Sequence, residues 1–277
     1  MITGPLVFLI IAAIGGVAQV IDGSLGMGFG VFSSSMLIAS GFAPAVAVAV
    51  VNAAKILTGL ASGVAHWRFG NVNSRWLLPM VLGGVAGGFL GAYLLTSVPP
   101  ETARPWVSGF LLLMGLVIVL RSLRRRTACL NETCDEECTH HPESNWQKMA
   151  EPTKDHTVAK MGVLGFVAAL SNGLTGAYGP IATSGVLLLN KGEPRYAVGT
   201  VNLAEFFVAS TVASTILLRQ GLGDFPGMLV LALAIGGIVA APLAAYVCRH
   251  LPSGGLAFLV GSALIAQNLM VVVRVVR

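Results

Sequence analysis

The sequence predicts an all-α, polytopic membrane protein built from two repeats of about five helical segments each. Hydrophobic residues make up 55% of the 277 residues and charged residues only 10%, whereas soluble domains carry about 25% charged residues. The mean hydropathy is +0.80, and the 34 glycines suit closely packed membrane helices. At roughly 20 residues per crossing, the apolar segments predict eight to ten helices.

The apolar segments form two groups of five on either side of one long polar stretch. The opening segment lacks the positively charged start and the cleavage site of a signal peptide, so it is counted as structure. The chain therefore divides into a first membrane repeat at 1–121, a cytoplasmic polar loop at 122–159 and a second membrane repeat at 160–277. The predicted segments are roughly 5–21, 27–41, 43–65, 76–96, 104–121, 161–171, 177–190, 196–218, 226–248 and 254–273.

The two groups match each other as repeats. Gly83–Gly84 matches Gly236–Gly237 at a shift of 153 residues, and Tyr93 matches Tyr246. Matches between apolar residues are uninformative in such a sequence, so the polar matches carry the prediction of a duplication. At a shift of 150 these are Asp22 with Asn172, Asn52 with Asn202 and Lys55 with Glu205, accompanied by Gly23 with Gly173 and Gly26 with Gly176.

The Lys and Arg residues predict the orientation in the membrane. If the first two segments of each half both cross, or fold back as a re-entrant pair, twelve of the 17 basic residues share the side of the 122–159 loop. Four lie opposite, and Lys55 lies within the membrane. If each pair makes a single crossing, the split is the same but the repeats run parallel. A pair of about 37 residues is too long for one crossing, which favours inverted repeats with both termini outside.

Each repeat begins with a helix broken by glycine. The stretches are VIDGSLGMGFGVF at 20–32 and LSNGLTGAYGPIA at 170–182. Irregular backbone at membrane depth is tolerated only where protein or a water-filled cavity surrounds it, and matched breaks indicate a binding site between repeats. The N–H groups that open each new helix can hold an anion, unless the glycines only ease packing. The candidate binding residues are Asp22, Gly23, Gly26, Gly28, Asn172, Gly173, Gly176, Tyr178 and Gly179.

Two charges stand in the middle of apolar segments at equivalent positions. Lys55 and Glu205 each follow an asparagine by three residues, so Asn52 and Asn202 share a helix face with them. A charge at this depth costs about 2.5–3.5 kcal/mol and usually has a role. In the functional interpretation, Lys55 balances an anionic substrate and Glu205 carries a proton. In the structural alternative, Lys55 simply pairs with Glu205 or with Asp22.

The remaining polar motifs predict less. Small residues at a spacing of four, in Gly59–Gly63 and Ala209–Ala213, indicate close helix packing. Ser62 and His66 lie one turn apart on a single helix and make a poor hydrolase site, so no enzyme and no cofactor are expected. The polar loop contains possible soft-metal ligands in a spacing that fits no standard zinc site, and a flexible linker is the simpler interpretation. These residues are Cys129, Cys134, Cys138, His140 and His141.

The stretch GMGFGVFSSSMLIASGFAPAVAVAVVNAAKILTGLASGVAHWRFGNV and its counterpart GAYGPIATSGVLLLNKGEPRYAVGTVNLAEFFVASTVAS resemble the two repeats of the TauE/SafE family, the sulfite exporter or sulfonate-uptake permease family. The resemblance implies a bacterial plasma-membrane carrier for sulfite, sulfonates, thiosulfate or similar anions, coupled to an ion. Similar family members tend to carry an acid where this chain has Lys55. That departure speaks against proton coupling shared by both repeats.

The leading hypothesis is therefore a secondary transporter of a small oxyanion, with a proton or cation as the coupled ion and the lipid bilayer as its surroundings. The sequence contains no ATP-binding segment, and the net charge of +5 comes from residues at helix ends rather than from a nucleic-acid surface. Two alternatives are an uncoupled anion channel and a membrane sensor or anchor acting through the cysteine- and histidine-containing loop.

Overall fold

The computed structural model describes residues 5–25, 28–68, 70–131, 155–189, 194–221, 223, 225–250 and 253–276. Nearly all of these residues are helical, and none of them forms a strand. This confirms the predicted all-α class. The helices of the described ranges are α1 (Pro5–Leu25), α2 (Phe29–Ala39), α3 (Pro44–Arg68), α4 (Ser74–Ser97), α5 (Pro100–Asn131), α6 (Asp155–Thr175), α7 (Gly179–Leu189), α8 (Pro194–Gln220), α9 (Gly227–His250) and α10 (Ser253–Val276).

Six of the described helices, α1, α3, α4, α5, α6 and α8, are long and apolar enough to cross a membrane. In contrast, α2 and α7 contain 11 residues each. At 1.5 Å per residue they reach about 16 Å, roughly half of a hydrocarbon core of about 30 Å. The polytopic architecture is thus confirmed, and each half contains one helix too short to cross alone.

Several helices extend beyond their predicted ends. The sequence predicted 161–171 for α6, which runs from Asp155 to Thr175. Its polar end stays helical, and the Thr175 hydroxyl there donates to the Ser171 carbonyl at 2.8 Å. Helix α5 continues to Asn131, so both ends of the 122–159 segment are helical. The division of the chain at this segment stays a prediction, because 132–154 lie outside the described residues.

The main contacts between helices join the two halves: α1 packs on α9, α4 on α6, α3 on α8 and α5 on α10. Glycines allow this close approach. A Cβ atom on Gly15 would clash with the Leu233 backbone, and one on Gly165 would clash with the Met80 backbone. These two contacts are equivalent at the shifts of 150 and 153 residues. They support the duplication, which itself remains a prediction.

The direction of packing bears on the predicted inversion. Gly63 of α3 lies against Leu203 of α8, and Gly59 lies against Phe206. Residue numbers therefore rise along one helix as they fall along the other, so α3 and α8 run in opposite directions. Parallel halves would give these equivalent helices the same direction. The contacts agree with inverted repeats, and the inversion stays a prediction.

Helices α3 and α8 lie at the centre of the molecule. Of the residues in their membrane spans, 56% and 50% are buried, compared with 28% for α1. The middle of α3 is buried. The residues there that have no exposed surface are Ala47, Val48, Val50, Asn52 and Ala54. Lys55 and Glu205 are thereby placed where the two halves meet.

Candidate functional site

A cavity of about 90 Å³ lies among α1, α3 and α8 at membrane depth. It is small compared with drug-sized ligand pockets, which measure about 300–1,000 Å³, and it suits a small ion. Most of its lining is polar or charged, which is unusual within a membrane domain. The lining residues are Gln19, Asp22, Phe29, Lys55, Thr58, Gly59, Ser62, His66, Val198, Asn202 and Glu205.

Lys55 and Glu205 form an ion pair at the wall of this cavity, with Lys55 Nζ donating to Glu205 Oε1. Lys55 is 4% exposed and Glu205 is 8% exposed. The direct pairing is the arrangement of the structural alternative, in which the two charges satisfy each other. Because both residues also line the cavity, an ion that enters it meets both charges, so the pairing leaves a transport role open.

Asp22 caps the first short helix. Its Oδ1 accepts hydrogen bonds from the backbone N–H groups of Gly28, at 2.7 Å, and Phe29, at 3.2 Å. The sequence predicted that the N–H groups of this break would be available to an anion, but here a carboxylate of the chain itself occupies these two. A carboxylate suits that position because the helix N-terminus carries partial positive charge. Asp22 also lines the cavity, so it competes with any anion for this helix end.

The predicted glycines of the first break have different surroundings. Gly28 is buried, and a Cβ atom there would clash with the Ile21 side chain, so Gly28 allows the chain to turn back closely on α1. Gly23 lies within α1. Gly26 lies outside the described residues. None of the three lines the cavity among the residues described.

The second break is more deeply enclosed than the first. Gly176 has a φ of +82°, a backbone conformation that favours glycine, and its N–H donates to the Asn172 carbonyl at 2.8 Å. Gly173 packs on the backbone of Ala92 in α4, which accounts for that glycine by packing. Tyr178 and Gly179 are buried at the start of α7, away from the cavity.

The two breaks meet next to the ion pair. A Cβ atom on Gly30 of α2 would clash with the Gly176 carbonyl oxygen and with Lys55 Nζ. A Cβ atom on Gly176 would clash with the Ser34 hydroxyl. Gly30 and Ser34 were not among the predicted site residues, although both lie in the quoted stretch GMGFGVFSSS. Glycine is required at positions 30 and 176 because the backbone segments approach closely here.

The two predicted asparagines have different roles despite their equivalent positions. Asn202 lines the cavity and donates from Nδ2 to Ser62 Oγ at 3.3 Å. Asn52 lies behind the cavity wall, where its side chain donates to the Val48 carbonyl at 2.9 Å and accepts from Asn172 Nδ2 at 2.7 Å. The Asn52–Asn172 bond ties α3 to α6 between the two halves.

The sequence analysis missed four polar residues of the lining: Gln19, Thr58, Ser62 and His66. Three of them follow Lys55 along α3 at helical spacing and form a polar stripe down one face of the helix. Extending the face shared by Asn52 and Lys55 along α3 would have identified them. Gln19 has no such signal, because its place in the lining depends on how α1 packs.

Comparison with known proteins identifies the family. The family model described as "Sulfite exporter TauE/SafE" matches residues 11–270. The chain is 38% identical over 261 residues to a Bacillus subtilis (strain 168) protein described as "Probable membrane transporter protein YtnM", covering 94% of this chain and 81% of that one. No solved structure matches. With ten described helices, a polar cavity at membrane depth and a family match over nearly its whole length, the chain belongs to the TauE/SafE family of multi-pass membrane transporters.

Proposed function

We propose that this transporter carries small sulfur-containing anions such as sulfite, thiosulfate or sulfonates, and that it couples their movement to a proton. The observation that carries the proposal is the buried Lys55–Glu205 pair at the wall of a small polar cavity. A fixed cation in a low-dielectric cavity provides the charge that an anion needs at membrane depth. The cavity volume suits an ion of this size rather than a bulky metabolite.

The pairing of Lys55 suggests how a proton and an anion are linked. An anion that reaches Lys55 must displace the Glu205 carboxylate, because both compete for the same ammonium group. If the carboxylate stays ionised, the pair and a monovalent anion together carry two negative charges and one positive charge, in addition to the Asp22 carboxylate in the same lining. If Glu205 takes up a proton as the anion binds, the pair and the anion together have no net charge. Binding of one monovalent anion is therefore favoured together with one proton.

The neighbouring polar groups can complete the coordination of the anion. Ser62, Thr58 and Asn202 line the same cavity as the ion pair and offer hydroxyl and amide donors. His66 lies farther along α3 in the same lining, where it can exchange protons with water. Asp22 holds the end of α2 next to this cavity, and its negative charge keeps the helix N-terminus from trapping the substrate.

Uptake into proteoliposomes tests the proposal. Purified protein is reconstituted, and uptake of sulfite, thiosulfate, a sulfonate and a carboxylate is measured with and without an imposed pH gradient, using protein-free liposomes as the control. We expect saturable uptake of one or more sulfur anions that increases with the gradient. Flux that does not saturate and does not respond to the gradient would indicate an uncoupled channel. Flux of no anion in the panel would reject the proposed substrate class.

A further inference from the structure

Buried hydroxyl groups without a hydrogen-bond partner mark the region beyond the ion pair. Among the described residues, Ser34 Oγ and Tyr178 OH are buried with no partner, and neither residue has any exposed surface. Unpartnered buried polar groups are costly and uncommon in folded proteins, so each one requires an explanation. Neither residue lines the cavity of about 90 Å³, so neither group is solvated through that cavity.

Ser34 lies at the meeting point of the two breaks, and Tyr178 belongs to the second break. The Ser34 hydroxyl faces Gly176, and Tyr178 follows Gly176 by two residues. Gly30, which faces Lys55 Nζ, lies one helical turn before Ser34, or about 6 Å along α2. Lys55, which lines the cavity, therefore lies beside the same stretch of α2 that carries Ser34.

A second cavity lies at the start of α3, a few residues after the end of α2. It has a volume of about 250 Å³, and its lining includes Pro44 and Ala45 at the start of α3, Leu95 near the end of α4 and Gln220 at the end of α8. Lys55 lies ten residues farther along α3 than Ala45, or about 15 Å, and most of the residues between them are buried. The two cavities therefore lie on either side of a mostly buried stretch of α3.

We propose that the Ser34 and Tyr178 hydroxyls bind the transported oxyanion on the closed half of its path, between the Lys55–Glu205 pair and the second cavity. The proposal rests on the transport function proposed above. Hydroxyl groups suit this step because they donate to an oxyanion without a full charge, so the anion can leave again. Conduction requires binding that is favourable enough to enter and weak enough to release. The missing partner is then the substrate, which is present only when this half opens.

Transport and stability measured together test the assignment. The variants are Ser34→Ala and Tyr178→Phe, and Ser108→Ala is the matched control, because Ser108 is equally buried and its hydroxyl also lacks a partner but lies on α5. Each variant is assayed for the initial rate of sulfite uptake over a range of concentrations and for its thermal unfolding temperature in detergent.

We expect Ser34→Ala and Tyr178→Phe each to lower the maximal uptake rate about three- to tenfold, the effect of losing one neutral hydrogen bond. All three variants should unfold at the wild-type temperature or above it, since each loses an unpartnered polar group. The inference is overturned if Ser34→Ala and Tyr178→Phe take up sulfite as fast as Ser108→Ala does. It is also overturned if their uptake rate falls together with their unfolding temperature. If the wild-type protein carries none of the anions, the proposed function fails first and the inference fails with it.

Discussion

Neutralising the Lys55–Glu205 pair one charge at a time separates a substrate site from a structural ion pair. Removing one member of a buried pair leaves the other charge uncompensated, which typically costs about 3–5 kcal/mol. Lys55 and Glu205 are 4% and 8% exposed, so this range applies to them. We expect both Lys55→Gln and Glu205→Gln to unfold at lower temperature than the wild type when no substrate is present.

Substrate should affect the two single variants differently. In Glu205→Gln the Lys55 ammonium is free for an anion, so sulfite at 100 times its Kd should restore about 2.7 kcal/mol of stability. In Lys55→Gln the anion loses its charge-assisted contact, worth about 1.5–3 kcal/mol, so affinity should fall roughly tenfold to over a hundredfold. Glu205→Gln should keep binding the anion and lose the dependence of uptake on the pH gradient.

Thermal unfolding in detergent, equilibrium binding of sulfite and proteoliposome uptake measure these effects. Lys160→Gln is the matched control for the lysine, because Lys160 is exposed and lies outside the cavity. The decisive sample is the double variant Lys55→Gln/Glu205→Gln. If it recovers both stability and uptake, the pair is only structural, and the charge balance proposed for binding is refuted.

Three further variants test other parts of the site. Asp22→Ala removes the cap of α2, so it should cost about 0.5–2 kcal/mol of stability and reduce uptake. Asn73→Ala, which removes the cap of α4, should cost similar stability without affecting uptake. Equal losses of uptake in both variants would contradict a role for Asp22 in the site. Gly30→Ala should abolish uptake, because the added Cβ atom has no room beside the Gly176 carbonyl oxygen and Lys55 Nζ. Gly109→Ala should leave uptake unchanged, since nothing lies within 4 Å of its added Cβ atom. Normal uptake by Gly30→Ala would mean that the two breaks can move apart at no cost. Ser62→Cys in a cysteine-free background should react with a membrane-impermeant thiol reagent from the cytoplasmic face, and sulfite should protect it. Labelling from the outer face alone would reject the predicted sidedness, in which the 122–159 loop is cytoplasmic.

The number and class of the helices followed directly from composition and apolar periodicity, but their ends did not. Apolar segments stop where polar residues begin, whereas helices continue as long as backbone and side-chain groups find partners. Thr175 and Ser171 illustrate this, since the bond between them lies within the helix that the apolar pattern had ended at 171. Asp22 illustrates it again, because a charged residue that seemed to break α1 lies within it and caps the following helix.

The sequence predicts site residues only where they share a helix face or occupy matching positions in the two halves. Lys55, Asn202 and Glu205 were predicted and line the cavity. Gly173 and Asn52 stay predictions as binding residues, and they lie outside the cavity lining: Gly173 packs on α4, and Asn52 binds Asn172. Contacts between helices from different halves decide these positions. A sequence shows which residues are equivalent in two repeats, but it does not show which of them face the space between.

The packing of α3 on α8 explains why Lys55 and Glu205 pair. The two helices occupy the centre and pack on each other, so these two side chains are brought together there. Two acids at these positions would repel each other and could not both stay ionised close together. An acid in place of Lys55 would change the charge at that position by two units. With Lys55 opposite Glu205 the resting pair is neutral, so the coupled transport that we propose would add one monovalent anion and one proton to the pair without changing its net charge within the membrane.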